Sequence, residues 1–120
     1  MIIFQNKMAT IDISVELNDK AIKFIQKYHS KLYNGVGGNT LVKMRREFFG
    51  VSYEPGFLKA LGQYCFIWNN GHGANPGCCL KDSELGRQIK ENVLNGNNYA
   101  DFHGNSHKLM LYSIKNINTS

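Results

Sequence analysis

The stretch "TIDISVELNDKAIKFIQKYHSKLY", residues 10–33, joins two different periodicities and decides what the sheet and helices of this chain are built from. Over residues 9–17 apolar and polar positions alternate. Ile11, Ile13, Val15 and Leu17 fall on one side, and Asp12, Ser14 and Glu16 on the other. A period of two predicts a half-buried strand. Asn18 then offers an N-cap oxygen, and Ile22, Ile25, Tyr28 or His29, and Leu32 return at helical spacing as far as Tyr33. The reading is a strand running straight into an amphipathic helix.

Beyond that helix, Leu41, Met44 and Phe48 recur at helical spacing, with Asn39 or Thr40 as cap and Gly50 as stop. Pro55 suits the first turn of a third helix whose buried edge is Phe57, Leu61 and Tyr64, after which "YCFIW", residues 64–68, turns β-like. Residues 69–77, "NNGHGANPG", are dense in turn formers and read as an exposed loop. Asp82 or Ser83 caps a fourth helix bearing Leu85, Ile89 and Val93 on one face, stopped by Asn95 and Gly96. Residues 95–107 read as a second polar loop, and "KLMLYSI", residues 108–114, as an interior strand. The expected architecture is α+β: a small single domain over residues 1–120, with a short, mainly antiparallel sheet and about four helices packed on one face. Residues 1–8 are read as a flexible or alternative-start extension.

Length and composition agree with a folded domain. At 120 residues and 42% hydrophobic content, a core can form without metals or disulfides. No apolar run approaches a membrane span, and "MIIFQNKM" is too short and too polar for a signal-peptide core. Three cysteines, two of them adjacent, make a poor disulfide framework, so the expected compartment is reducing and cytoplasmic. A formal net charge of +5 draws the molecule towards polyanions. Eleven of the fourteen basic residues are lysine, and Asn and Ile are frequent, which fits an AT-rich bacterium or one of its mobile elements.

Two features point to an anionic partner. "GVGGNT", residues 35–40, sets Gly35, Gly37 and Gly38 just before a helix, where unpaired backbone N–H groups and a partial positive charge favour an anion. It matches neither the Walker pattern nor the dinucleotide-binding pattern. The plainer reading is a hinge: Gly35 ends one helix, and Gly37 with Gly38 lets the chain reverse. The second feature is a lysine row. Lys20, Lys23, Lys27 and Lys31 are spaced to line one side of the first helix, opposite its apolar stripe, with almost no glutamate interleaved. With Lys43, Arg45 and Arg46 they place seven cations between positions 20 and 46. The ligand-binding candidates are therefore Lys20, Lys23, Lys27, Lys31, Gly35, Gly37, Gly38, Asn39, Thr40, Lys43, Arg45 and Arg46.

The histidines suggest a different chemistry. His72, His103 and His107 lie in or beside the two polar loops. With Asp101 to orient an imidazole and Lys108 or Arg87 as the cation, they are candidates for general acid–base cleavage of a phosphodiester. His103 and His107 also have a zinc-like spacing that Cys78, Cys79 or His72 could complete, but no Cys-x-x-Cys pair accompanies them. No metal or other cofactor is assigned. Cys65, Cys78 and Cys79 read as small buried hydrophobes and Trp68 as core, while Tyr53, Tyr99 and Phe102 are candidates for base stacking.

Three function classes follow. The first is a small basic intracellular protein binding nucleic acid or a phosphorylated nucleotide through the lysine-lined helix and the glycine loop. The second is a non-enzymatic phage or mobile-element inhibitor acting by protein contact. The third is a metal-independent ribonuclease or toxin using the loop histidines. No membrane partner is expected.

Overall fold

A computed structural model describes residues 13–50, 54–69, 75–102 and 105–115. In chain order the elements are α1 (Val15–Lys27), α2 (His29–Asn34), α3 (Gly38–Phe49), α4 (Phe57–Leu61), β1 (Cys65–Asn69), β2 (Gly77–Leu80), α5 (Glu84–Leu94), β3 (Tyr99–Phe102) and β4 (Asn105–Leu109), followed by a 3-10 turn, Leu111–Ser113.

The opening stretch is helical earlier than its alternation implies. Ser14, not Asn18, is the N-cap: its backbone is extended, with φ −69° and ψ 157°, and its side chain accepts from the Leu17 N–H at 3.1 Å. Val15, Glu16 and Leu17 therefore form the first turn of α1, and residues 9–12 of the expected strand lie outside the described residues. Five positions of alternation cannot separate a period of two from one of 3.6, whereas a satisfied cap decides locally. The buried edge of the helix is also rotated by one position. Ala21, Phe24 and Tyr28 are buried, while Ile22 and Ile25 are only partly so. Phe24 pulls the helix round because its ring meets Tyr28, Phe48 and Phe57 at centroid distances of 4.9, 5.3 and 5.1 Å. The first helix is also not continuous to Tyr33. Tyr28, at φ −113° and ψ 27°, separates α1 from α2, and Gly35 then ends α2 at φ +91°.

The four strands lie in the order β2-β1-β4-β3, all antiparallel, and Val36 extends the β2 edge by exchanging both backbone hydrogen bonds with Cys78. Strands form where the sequence reads as loop or carries no assignment. β2 begins at Gly77, the last residue of the expected loop, where an added Cβ would sit 2.6 Å from both Trp68 Nε1 and the Val36 carbonyl, so this edge forms only because the position is bare. The hairpin of β3 and β4 occupies the expected polar loop. Tyr99, Asp101, Ser106 and Lys108 are exposed, while Ala100 and Leu109 are buried and His107 is partly so. The expected strand over residues 108–114 contributes only Lys108 and Leu109 to β4, which is interior as expected, before the chain turns. There the Ser113 hydroxyl accepts from the Ile67 N–H at 3.1 Å and donates to the Met110 carbonyl at 2.7 Å.

The pleat sorts the core into two layers. Cys65, Ile67, Cys78 and Leu80 join the buried faces of α1–α4 on one side. Phe66, Trp68, Cys79, Ala100 and Leu109 pack with Ile89 of α5 on the other. The molecule is thus α+β with an antiparallel sheet and four helices on one face, and a fifth helix covers the opposite face. Among the described residues no helix is long and apolar enough to cross a membrane.

α5 begins where the sequence places it. The fully buried Ser83 hydroxyl accepts from the Gly86 N–H at 2.9 Å and donates to the Leu80 carbonyl at 2.6 Å, tying the helix to the end of β2. Ser83→Ala leaves the Gly86 N–H unmatched, while the Leu80 carbonyl keeps only the backbone N–H of residue 83 at 3.2 Å. The expected loss is about 1–2 kcal/mol, read as a lower urea midpoint at unchanged m-value; a midpoint equal to wild type would show that the cap contributes nothing.

Candidate functional site

Three side-chain contacts set α1 against α3. The Tyr28 hydroxyl donates to Glu47 at 2.5 Å, Phe24 meets Phe48 edge-on, and the Lys20 ammonium lies 6.0 Å from the Phe49 ring centroid. All three contacts fall on residues 47–49, so α3 meets α1 through its own C-terminal end. Burial, and then the Glu47 carboxylate, push the Tyr28 phenol up to about 12.

The lysine row borders this seam. It lies on the flank of the buried edge of α1 and not opposite it, because that edge is centred on Ala21 and Phe24. Lys23, Lys27 and Lys31 are exposed, and the Lys27 ammonium sits 5.3 Å from the Tyr28 ring centroid. Lys43 is exposed one helical turn before Glu47, which places it on the same side of α3. Lys23, Lys27 and Lys31 therefore line one flank of α1 and α2, Lys43 is exposed on α3, and the carboxylate that a described contact brings to this flank is Glu47, through Tyr28.

Three of the seven cations leave the group. Lys20 is held by Glu54, with Glu16 at 4.0 Å, and this hydrogen bond and ion pairing raise its pKa despite some desolvation. Arg45 is buried, at 9% exposure. Arg46 is exposed but sits about 100° round α3 from Glu47, off the seam.

The glycine loop has its own structural reasons. Gly35 takes the positive φ that ends α2. Gly38 lies so close to Asn75 that an added Cβ would be 2.1 Å from its carbonyl oxygen. That carbonyl occupies space beside the first turn of α3. Gly37, the N-cap residue, has no atom within 4 Å of where its Cβ would be, and Asn39 and Thr40 are exposed in the first turn without a side-chain cap bond.

Comparison with known protein families, curated proteins and solved structures returns no match. Any functional argument therefore stands on these side chains alone.

The histidine constellation is divided. His72 and His103 lie outside the described residues. His107 is on β4 opposite Ala100, on the face turned towards α5. Asp101 and Lys108 stand at the alternate positions of the hairpin, so the pleat directs them to the other face, away from His107. Neither can orient or assist that imidazole within this sheet. Among the described residues no group of three or more His, Cys, Asp or Glu is placed to hold a metal ion.

Cys65, Cys78 and Cys79 are free and buried. Cys78 and Cys79 point to opposite faces of the sheet. The hydrogen bond with Cys65, with burial, raises the Cys78 thiol well above its usual value, and burial lifts Cys79 to about 12, so neither is an ionised nucleophile. Trp68 is buried in the α5-side cluster, and Tyr99 is exposed on β3. Tyr53 and the side chain of Phe102 fall outside what is described.

Two concavities were not foreseen. A groove of about 400 Å³ lies between α1–α2 and the start of the sheet, with Ile22, Ile25, His29, Tyr33, Tyr64 and Leu80 in its walls. His29 and Tyr33 stack there at 6.1 Å. A second cavity, of about 470 Å³, lies at the entry to α4 against Arg45 and Tyr112.

Proposed function

We propose that this chain is a cytoplasmic binding protein for a polyanion, nucleic acid or a phosphorylated nucleotide, which docks along the seam of α1 and α3. The observation that carries this reading is the run of exposed lysines, Lys23, Lys27 and Lys31, along one flank of α1 and α2, with Lys43 exposed on α3. Ammonium groups held on packed helices present a fixed positive strip, and a phosphate backbone is the repeating negative strip that matches it. The glycine loop is a hinge in this reading. Its role is to bring α3 alongside α1, not to cradle the anion.

The test is fluorescence anisotropy with labelled single- and double-stranded oligonucleotides over a range of salt concentrations. Wild-type affinity falls steeply with salt. The double reversal Lys23→Glu with Lys27→Glu weakens binding by at least about tenfold and lowers the salt slope by about two. Lys108→Glu with Arg87→Glu, a double reversal of equal charge on β4 and α5 away from the seam, has a much smaller effect. Equal losses from the two variants, or no salt-dependent binding by the wild type, would remove the proposal.

A further inference from the structure

The second cavity is built differently from the lysine strip. It is an open concavity lined by Arg45, Glu54, Phe57, Leu58, Lys59 and Tyr112. A volume of about 470 Å³ is within the range of small-molecule sites. Arg45 is 9% exposed and contributes to this wall, so the surface it retains opens into the cavity.

A guanidinium does not lose its proton at any ordinary pH, and its five N–H donors form a rigid fork. The charge is therefore permanent, and the fork can hold protein groups while still offering donors to a ligand. Two neighbours locate the charged head. Burial raises the Tyr112 phenol while the Arg45 charge opposes that rise, and the same charge is felt at the Cys78 thiol. Arg45 and Tyr112 thus share the lining of this concavity, with the guanidinium charge within electrostatic reach of both Tyr112 and Cys78. The rim is less negative than its residue names suggest, because the Glu54 carboxylate is engaged by Lys20.

We propose that this cavity binds a small molecule bearing a terminal oxyanion, a phosphate or a carboxylate, through Arg45, Lys59 and the Tyr112 hydroxyl. Arg45 supplies the paired donors that suit two oxygens of one anionic group. Lys59 adds a second charge from α4, and Phe57 and Leu58 supply apolar wall for the rest of the ligand. The site is independent of the strip on α1, since none of its residues belongs to that seam.

The experiment is isothermal titration of the full chain with inorganic phosphate and, separately, with acetate. Saturable binding at one equivalent is expected for at least one of them. A Kd for phosphate at least about tenfold below that for acetate, the equivalent of about 1.4 kcal/mol, identifies a phosphomonoester as the ligand class. The reverse order identifies a carboxylate. Lys59→Gln and Tyr112→Phe, which leave Arg45 and the core in place, should each raise the Kd severalfold, and Arg45→Lys should abolish binding while circular dichroism confirms the fold. Lys23→Glu with Lys27→Glu should leave it unchanged, so this site and the α1 strip succeed or fail separately. No saturable binding of either anion, or a Kd within twofold of wild type in both Lys59→Gln and Tyr112→Phe, would overturn the proposal.

Discussion

Phe24→Ala is expected to lower the unfolding free energy by about 3–5 kcal/mol, a large share of the roughly 5–15 kcal/mol that holds a domain folded. The ring is fully buried and touches aromatic rings on α3 and α4, Phe48 at 5.3 Å and Phe57 at 5.1 Å. Phe48 and Phe57 in turn meet Phe49 at 5.0 and 4.8 Å. One side chain thus joins three helices, and its removal opens a cavity that none of them can fill alone, because α1 is held by its Ser14 cap, α3 by β2 and α4 by the 3-10 turn. Urea unfolding measures the loss. Ile22→Ala is the informative companion, since Ile22 belongs to the apolar stripe legible in the sequence yet is only half-buried beside the groove. Its cost should be less than half that of Phe24→Ala. If Ile22→Ala proved the more damaging, α1 would be seated on the stripe that periodicity suggests and the lysine row would move away from the seam with α3.

That contrast shows which levels of structure were readable. α5 was legible because its cap, Ser83, and its stripe of Leu85, Ile89 and Val93 are local and agree with one another. β1 was legible from its apolar and aromatic run. The start of α1 was not, because Ile13 to Leu17 satisfies two periods equally well and only the hydroxyl of Ser14 chooses. The hairpin of β3 and β4 was hidden for another reason. Its polar composition signals a loop, and what makes it a sheet is pairing with β1, where Leu109 lies opposite Trp68. The lysine row could be seen as helical spacing. The removal of Lys20 from it by Glu54, 34 residues away in sequence, and the burial of Arg45 could not, because the first arises only when α4 packs against α1 and the second only when distant residues such as Phe57 and Tyr112 come beside Arg45.

Gly38→Ala should be the most damaging single change in the glycine loop, at about 3 kcal/mol, while Gly37→Ala, its neighbour, should be neutral or slightly stabilising. The two residues look equivalent in sequence, and an anion cradle at the start of α3 would need both to stay bare. Their surroundings differ. A Cβ on Gly38 would stand 2.1 Å from the Asn75 carbonyl oxygen and 2.8 Å from its carbon, so backbone has to move. That displacement reaches the sheet through Gly77, two residues on, whose own Cβ position is closed by Trp68 and by the Val36 carbonyl. Gly37 has φ −79° and open space around its Cβ position, so alanine restricts the unfolded chain without straining the folded one, a gain of up to about 1 kcal/mol that offsets the poorer capping by alanine at this N-cap. Thermal unfolding of the two variants, together with their affinity for an oligonucleotide, separates the roles. A destabilised Gly38→Ala beside a Gly37→Ala that is stable and binds normally marks the loop as a hinge held by close packing. Loss of binding in a fully stable Gly37→Ala would instead return the anion to the N-terminus of α3, with the lysines of the seam as its surroundings and not its seat.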